Sequence, residues 1–582
     1  MGERVIGAKV SERSALASQI WPAGARLPLT QVHPWLAGLW RKHRLIIIMA
    51  GLSLLPRLLA ALAFRPAVFT PDSFGYLAAG THLAPGVTRP SGYPILLRVL
   101  EPFHSLLLVT TLQHMMGIAT AVLVYAVLRR GGLPAWGAVL AACPTLFDTR
   151  QVMLESAILP DVCYTLLMMV AVALLLTRRG PTVGRCAIAG FVLAWAAVTR
   201  GNGAAAMPAV LVVLLIQRAH WRALAAGTVA FALPVLAYMT VFDLSYGNFA
   251  LTNSDGLFAW SRTMSFANCA VMKPPADLLP LCPGRQPYHL TGPAPAWSLR
   301  PLLNANSPAA YLWASGAWWR HDAHPGINAA NNALAMRFAL RAISAQPLGY
   351  LRTVASGVML TFLATDRALT VRTMHFTPQP DVAVLRSIQV RHLREYSHTT
   401  ANTHPVQPYA YFLYLYQEPV YFPGAVFALV IMAGLAGVVR NWRLRGGPGA
   451  MPWAMAAAGV VAPVALHEYH YRYAMTVIPV ACVAAGLAFA RQSAGQHRAV
   501  APTVAGWPGA VPAQTGGDPV PARTGGDPVP MQAVASAVPQ AVARPVPAQA
   551  VGSPVPAARA VGNNETGAGP AGGSGSAGGR HG

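Results

Sequence analysis

Two segments of this chain bring carboxylates close to aromatic and basic side chains. The first reads Thr70-Pro71-Asp72-Ser73-Phe74-Gly75-Tyr76, with Arg89-Pro90-Ser91-Gly92-Tyr93-Pro94 behind it. Asp72 stands at the start of a helix predicted from Ser73, and Tyr76 follows one turn later on the same side. Asp72 is therefore either a helix cap or a group able to take a proton from a hydroxyl. The second segment holds Asp148, Gln151, Glu155 and Asp161 between two apolar runs. Carboxylates at the edge of hydrocarbon are costly unless paired or hydrated, which makes them candidates for chemistry. Capping and pairing with Arg150 are the plainer roles open to them.

Three arginines fall in or beside apolar runs: Arg57 after Pro56, Arg200 in Thr199-Arg200-Gly201-Asn202, and Arg472 in His467-Glu468-Tyr469-His470-Tyr471-Arg472-Tyr473. Guanidinium binds phosphate through two parallel hydrogen bonds, so these arginines suit an anionic phosphate as well as an internal carboxylate. His467 and His470, with Glu468 between them, leave a divalent metal open as a cofactor, although no second pair completes the set. Nothing resembles a Gly-rich phosphate loop, a Walker motif, HExxH or CxxC. A donor that needs no nucleotide, such as a lipid-linked one, fits this absence.

These residues sit between hydrophobic segments. Only 11% of the 582 residues are charged and 54% are hydrophobic, a balance that belongs to membrane proteins. The formal charge of +24 does not indicate nucleic-acid binding, because the arginines are scattered in small clusters between apolar runs. A crossing of about 30 Å needs about 20 apolar residues. Ten such runs lie near 44–64, 105–128, 133–150, 157–177, 186–200, 203–217, 223–243, 417–439, 450–466 and 474–490. The fold class expected is an all-α polytopic membrane protein.

Basic clusters mark every second boundary: Arg41, Lys42 and Arg44; Arg129 and Arg130; Arg178, Arg179 and Arg185; Arg218 and Arg222; Arg440, Arg443 and Arg445; Arg491. Placing them in the cytoplasm gives a multi-pass protein of the cytoplasmic membrane with both termini inside. The fourteen acidic residues between positions 40 and 490 then all fall outside or at outer helix ends. No cleavable signal peptide is evident, so the first span is expected to act as an uncleaved anchor. The expected organisation is a cytoplasmic segment 1–43, seven spans over 44–243, an extracytoplasmic region 244–416, three spans over 417–490, and a tail 491–582.

Within 244–416, residues 330–365 read as an amphipathic helix followed by a re-entrant or interfacial one. Cys269 and Cys282 lie thirteen apart in this region and are expected to bridge if it faces an oxidising compartment. The other four cysteines sit in or beside apolar runs and read as small buried hydrophobes. In the tail, Thr515–Pro521 recurs as Thr524–Pro530 in Pro, Ala and Gly-rich surroundings, a composition expected to be disordered.

In order and in shared sidedness, four pieces resemble the GT-C membrane glycosyltransferases, in particular glycosyltransferase family 39, the protein O-mannosyltransferases and lipid A aminoarabinose transferases. They are Asp72 to Tyr76 with Arg89 to Pro94, the acidic segment Asp148 to Asp161, Thr199-Arg200, and Tyr471-Arg472-Tyr473. The chain is also similar to a group of actinobacterial polytopic proteins with a Phe-Ala-x-Cys segment, here Phe266 to Cys269. The resemblance spans about 44–490 and implies a GT-C-like bundle using a polyprenyl-phosphate sugar donor. It implies Asp72 as catalytic base, with Glu155 and then Asp161 placing the acceptor or a metal. Many members carry Asp-Glu where this chain has Asp72-Ser73, which weakens the case for a protein acceptor over a glycan or lipid one.

By the same reading Arg200, Arg472 and Arg57 hold the donor phosphate. Tyr76, Arg89, Tyr93, Asp148, Asp161, His467 and Tyr473 line the sugar or acceptor. The rival readings are a transporter or flippase of envelope precursors and a non-catalytic scaffold of envelope assembly. The absence of a hydropathy repeat and the size of region 244–416 count against a carrier.

Overall fold

The computed structural model describes residues 29–177, 180–286, 309–314, 316–322, 325–363, 376–377, 385–467 and 471–490. The chain divides into two units, Met1–Pro502 and Thr503–Gly582, and every described residue belongs to the first. The repeats of the tail lie outside the described residues, as do Glu468, His470, Arg178, Arg179 and Arg491.

Among the described residues the fold is all-α apart from one short ladder, in which Phe64–Arg65 pairs antiparallel with His404–Pro405. The first half runs through α1 (Leu29–Leu52), α2 (Leu54–Ala63), α3 (Pro71–His82), α4 (Gly92–Leu100), α5 (Leu106–Arg130) and α6 (Ala135–Phe147). It continues with α7 (Thr149–Ser156), α8 (Asp161–Leu175), α9 (Val183–Thr199), α10 (Ala206–Ile216) and α11 (Trp221–Tyr246). The remainder includes α12 (Asp255–Thr263), α13 (Ala329–Ala345), α14 (Pro347–Leu363), α15 (Ser387–Ser397), α16 (Tyr409–Gln417), α17 (Gly424–Arg440), α18 (Ala450–Leu466), α19 (Tyr471–Met475) and α20 (Ile478–Phe489), with short helical turns at Cys269–Met272 and Ala309–Trp313.

Among the described residues three helices are long and apolar enough to cross a membrane: Ala37–Ala63, Leu106–Arg130 and Trp221–Tyr246. Seven shorter apolar helices of 10–17 residues stand at the other positions where hydropathy predicts spans. The first helix begins ahead of residue 44 and carries Arg41, Lys42 and Arg44 within it. The apolar residues on the outside of the bundle are those a bilayer would cover. Leu233, Leu236, Val241 and Leu244 of α11 are all exposed, a surface that water would penalise and lipid would not. The chain is a helical membrane protein.

Region 330–365 resolves into two helices, α13 and α14, and α14 packs against α17 and α18. A second, smaller core gathers Leu257 and Trp260 of α12, Ala335, Phe338 and Ala342 of α13, and Leu278 and Leu281 between them. Cys269 and Cys282 close a disulfide beside it.

The interior of the main bundle contains a deeply buried ion pair. Arg57 of α2 bonds Glu155 of α7 through Nη2 to Oε1 at 2.9 Å and lies 2.8 Å from Oε2 through Nε. The second carboxylate oxygen also meets His114 Nδ1 of α5 at 2.9 Å, and Gln151 Nε2 donates to Oε1 at 3.0 Å. Arg57 Nη1 donates further to the carbonyls of Ser53 and Leu146. A buried charge is tolerated only when its hydrogen-bonding capacity is met in this way, so the cluster joins α2, α5 and α7 in one arrangement.

Gly117 makes room for this pair, because a Cβ there would stand 1.8 Å from Glu155 Oε1. Gly117→Ala is therefore expected to destabilise the bundle by about 1–3 kcal/mol, the usual result of overpacking, read as a lower melting temperature in detergent.

Candidate active site

Asp72 lies in the first turn of α3, and local chemistry starts that helix where it does. Thr70 is extended, Pro71 has the φ that a first helical turn requires, and Ser73 turns its hydroxyl back to accept from the Thr70 amide at 3.0 Å. Ser73 is buried in this cap.

The segment in front of the helix is held from two sides. On one, the Phe69 amide donates to Thr403 Oγ1 at 3.0 Å, and Thr403 donates on to the Ala67 carbonyl at 2.8 Å. On the other, the Val68 amide donates to the Ser156 carbonyl at 3.0 Å, and the Ile158 amide to the Val68 carbonyl at 3.2 Å. Asp72 thus leaves a strap fixed to the end of α7.

Its carboxylate meets two arginines from distant parts of the chain. Oδ1 accepts from Arg89 Nη2, and Oδ2 accepts from Arg472 Nη1 and Nη2 at 3.3 and 3.4 Å. Arg472 is shared: its Nε lies 3.5 Å from Asp161 Oδ1, the oxygen that also accepts from Arg200 Nη1 at 2.5 Å. Arg200 lies over the ring of Tyr473 at 4.4 Å, Arg472 over the same ring at 5.7 Å, and Arg89 over Tyr76 at 5.7 Å.

Arg200 reaches this point because α9 ends at Thr199 and the chain turns extended. The N-terminus of α4 abuts that end so closely that a Cβ on Gly92 would lie 2.6 Å from the Thr199 amide. Only glycine permits the approach.

Exposure separates the carboxylates. The Asp72 side chain is 25% exposed, whereas those of Asp161 and Glu155 are fully buried. Burial alone would raise the pKa of Asp72, but the guanidinium groups of Arg89 and Arg472 outweigh it and hold the carboxyl below its usual range.

Of the residues predicted from sequence, the fold brings together Asp72, Tyr76, Arg89, Asp161, Arg200, Arg472 and Tyr473. It does not join Glu155 and Arg57 to them by any direct ion pair. Those two are used on each other, with His114 and Gln151, inside the bundle. A relay links the clusters: Tyr76 packs edge-on against Tyr93 at 5.4 Å, and the Tyr93 hydroxyl donates to Gln113 Oε1 at 2.7 Å. Gln113 then donates to the carbonyls of Glu155 and Ala157.

Asp148 caps α7 by accepting from the amides of Arg150 and Gln151, and it also accepts from the Phe422 amide at 2.5 Å. Gln113 and His114 join the buried cluster without standing in any recognised motif, and their one signal in the sequence is a pair of adjacent polar residues within an apolar helix.

His467 follows the last turn of α18 and packs against Phe258 at 4.5 Å. Its prospective metal-binding partners, Glu468 and His470, lie outside the described residues. Among the described residues no group of three or more His, Cys, Asp or Glu is placed to hold a metal.

No family and no curated protein matches this chain. Among solved structures it is similar to ArnT from Cupriavidus metallidurans bound to undecaprenyl phosphate, at 14% identity and a TM-score of 0.31, over 76% of this chain and 77% of that one. Fold and site define a helical membrane protein whose connecting segments assemble a cluster of arginine, aspartate and tyrosine, with one carboxylate open to solvent.

Burial, and then the positive charge of Arg200, push His467 down to about 4, so it is neutral in the folded protein at pH 7. In the unfolded chain it takes up a proton near pH 6.5, and stability is therefore lost as pH falls from that value toward 4. The melting temperature is expected to fall across this window in the wild type and to fall less steeply in His467→Gln.

Proposed function

We propose that this protein transfers a sugar from a polyprenyl-phosphate-linked donor to an acceptor hydroxyl, at the extracytoplasmic face of the cytoplasmic membrane. The observation that carries the reading is the sharing of Arg472 between Asp72, which is partly open to solvent, and the buried Asp161–Arg200 pair. It sets an ionised carboxylate beside guanidinium groups in one small region, which inverting glycosyl transfer from a phosphate leaving group requires.

Arg472 and Arg200 receive the donor phosphate. Asp72 accepts the proton of the acceptor hydroxyl while that oxygen attacks the anomeric carbon. The bond from that carbon to the phosphate oxygen breaks, its electrons pass to polyprenyl phosphate, and the guanidinium groups balance the charge that develops there. The configuration at the anomeric carbon inverts in one step. Tyr473, whose ring lies against both arginines, and Tyr76 with Arg89 form walls against which a sugar ring or acceptor can pack. Glu155 and Arg57 act at a distance, by fixing α7 and hence the strap that ends at Asp72.

The sidedness follows from the placement of the basic clusters, with both termini cytoplasmic. A glycan, a lipid or a protein can supply the hydroxyl.

The purified protein, given polyprenyl-phosphate sugars and a cell-envelope extract, is expected to release polyprenyl phosphate and leave sugar of inverted configuration on an acceptor. Movement of the lipid across a vesicle membrane without bond cleavage would show a carrier instead. Asp72→Asn is expected to lower turnover by about 10²–10⁴-fold while the protein keeps its melting behaviour. Arg89→Gln removes a cation that holds the Asp72 pKa down, so the acid limb of the activity profile is expected to move to higher pH.

A further inference from the structure

Arg89 reaches Asp72 from a loop, residues 83–91, that is neither helix nor strand and joins the end of α3 to the start of α4. The loop doubles back on itself: a Cβ on Gly86 would stand 2.6 Å from the Arg89 carbonyl oxygen. Three of its carbonyls are held by the segment at and beyond the end of α11. Tyr246 Oη donates to the Pro85 carbonyl at 2.5 Å, the Asn253 amide to that of Val87 at 2.8 Å, and Ser254 Oγ to that of Thr88 at 3.3 Å. The Arg89 side chain covers the remaining distance, with Nη1 donating to Thr88 Oγ1 at 3.0 Å and Nη2 to Asp72 Oδ1.

The holding segment is itself braced. Thr252, Asn253 and Ser254 are all buried, although they are polar and lie in a connecting segment. Asn248 Nδ2 donates to Asn253 Oδ1 at 2.7 Å, and the Thr252 hydroxyl lies 3.1 Å from both Ser254 Oγ and Asp255 Oδ1. Asn332 of α13 anchors the far end, where its Oδ1 accepts from the Gly256 and Leu257 amides at 2.7 and 3.4 Å. Buried polar groups satisfied by one another in this way shift only by losing several bonds together.

Resting on the transferase reading, in which Asp72 is the base, we propose that Tyr246 and Ser254 are positioning residues. They fix the loop so that Arg89 lies against Asp72, and they thereby set the proton affinity of that carboxylate. Neither hydroxyl touches the carboxylate itself. A guanidinium that draws back loses its hold on a carboxylate, because the attraction weakens with distance and with the water that enters the gap. Release of the loop therefore raises the affinity of Asp72 for a proton.

The other charged group facing Asp72 is Arg472, with Asp161 and Arg200 behind it, and Tyr76 lies one turn on in α3. At the opposite end of α3, His82 lies 3.4 Å from Glu395 of α15, and Arg98 of α4 bonds the Thr81 carbonyl and Glu101. Substitution of Tyr246 or Ser254 leaves each of these side chains unaltered.

The test reads Asp72 without turnover. The full-length protein in nanodiscs is treated with a water-soluble carbodiimide and a primary amine, which label carboxyl groups in their protonated form. At a pH above the Asp72 pKa the labelling rate, followed by peptide mass spectrometry, rises in proportion to proton affinity. Arg89→Gln is expected to raise it about tenfold, and Tyr246→Phe with Ser254→Ala about threefold. Ser254→Thr keeps the hydroxyl and is expected to label as the wild type does. In an Arg89→Gln background the two substitutions are expected to add nothing.

An unchanged rate in Arg89→Gln or in the double variant would overturn the proposal, as would a rise of equal size in the Arg89→Gln background. The transferase reading stands or falls separately, on release of polyprenyl phosphate by the wild type.

Discussion

Charge beside hydrocarbon is tolerated only in company, and that constraint organises this protein. A carboxylate or guanidinium taken out of water without a partner costs several kcal/mol, more than most single contacts in the bundle return. The chain meets the constraint by bringing oppositely charged groups together from far apart in sequence. Asp72 and Arg472 are 400 residues apart, and their contact ties the strap after α2 to the segment before α20. Asp161 and Arg200 join the start of α8 to the end of α9 by the same means.

Two such clusters lie among the described residues, and they differ in exposure. Around Glu155 every acceptor is used: Arg57, His114 and Gln151 surround both oxygens, and Gly117 gives the carboxylate the volume it occupies. A group so enclosed joins α2, α5 and α7 through its two oxygens. Around Asp72 the pairing is looser, the side chain reaches solvent, and one arginine is divided between acceptors. The tyrosine and glutamine relay from Tyr76 through Tyr93 to Gln113 couples the enclosed cluster to the open one. Geometry at Asp72 thus rests on packing several residues away from it.

The placement of helices was legible in the residues because it depends on local composition. Runs of apolar residues, interrupted by arginine clusters and by Pro and Gly, locate the ten apolar helices to within several residues. The start of α3 was legible for the same reason, since Thr70, Pro71 and Ser73 act on their immediate neighbours. The pairing of charges was not. Glu155 and Asp161 stand six residues apart in similar surroundings, and both read as candidates for the open site. Arg57 and Arg200 read equally well as phosphate ligands. The fold sends Glu155 to Arg57 and Asp161 to Arg200.

By itself, then, the sequence determined a helical membrane protein, the order of its apolar segments, and a short roster of charged residues at their ends. These are properties of windows of about 20 residues, within which hydrophobicity and helix capping act. Tertiary structure alone decided which arginine neutralises which carboxylate, that Asp72 stays open while Glu155 is sealed, and that Arg472 serves two acids at once. Those outcomes depend on where helices separated by hundreds of residues come to pack. Electrostatic pairing depends on distance in space, which distance along the chain does not report.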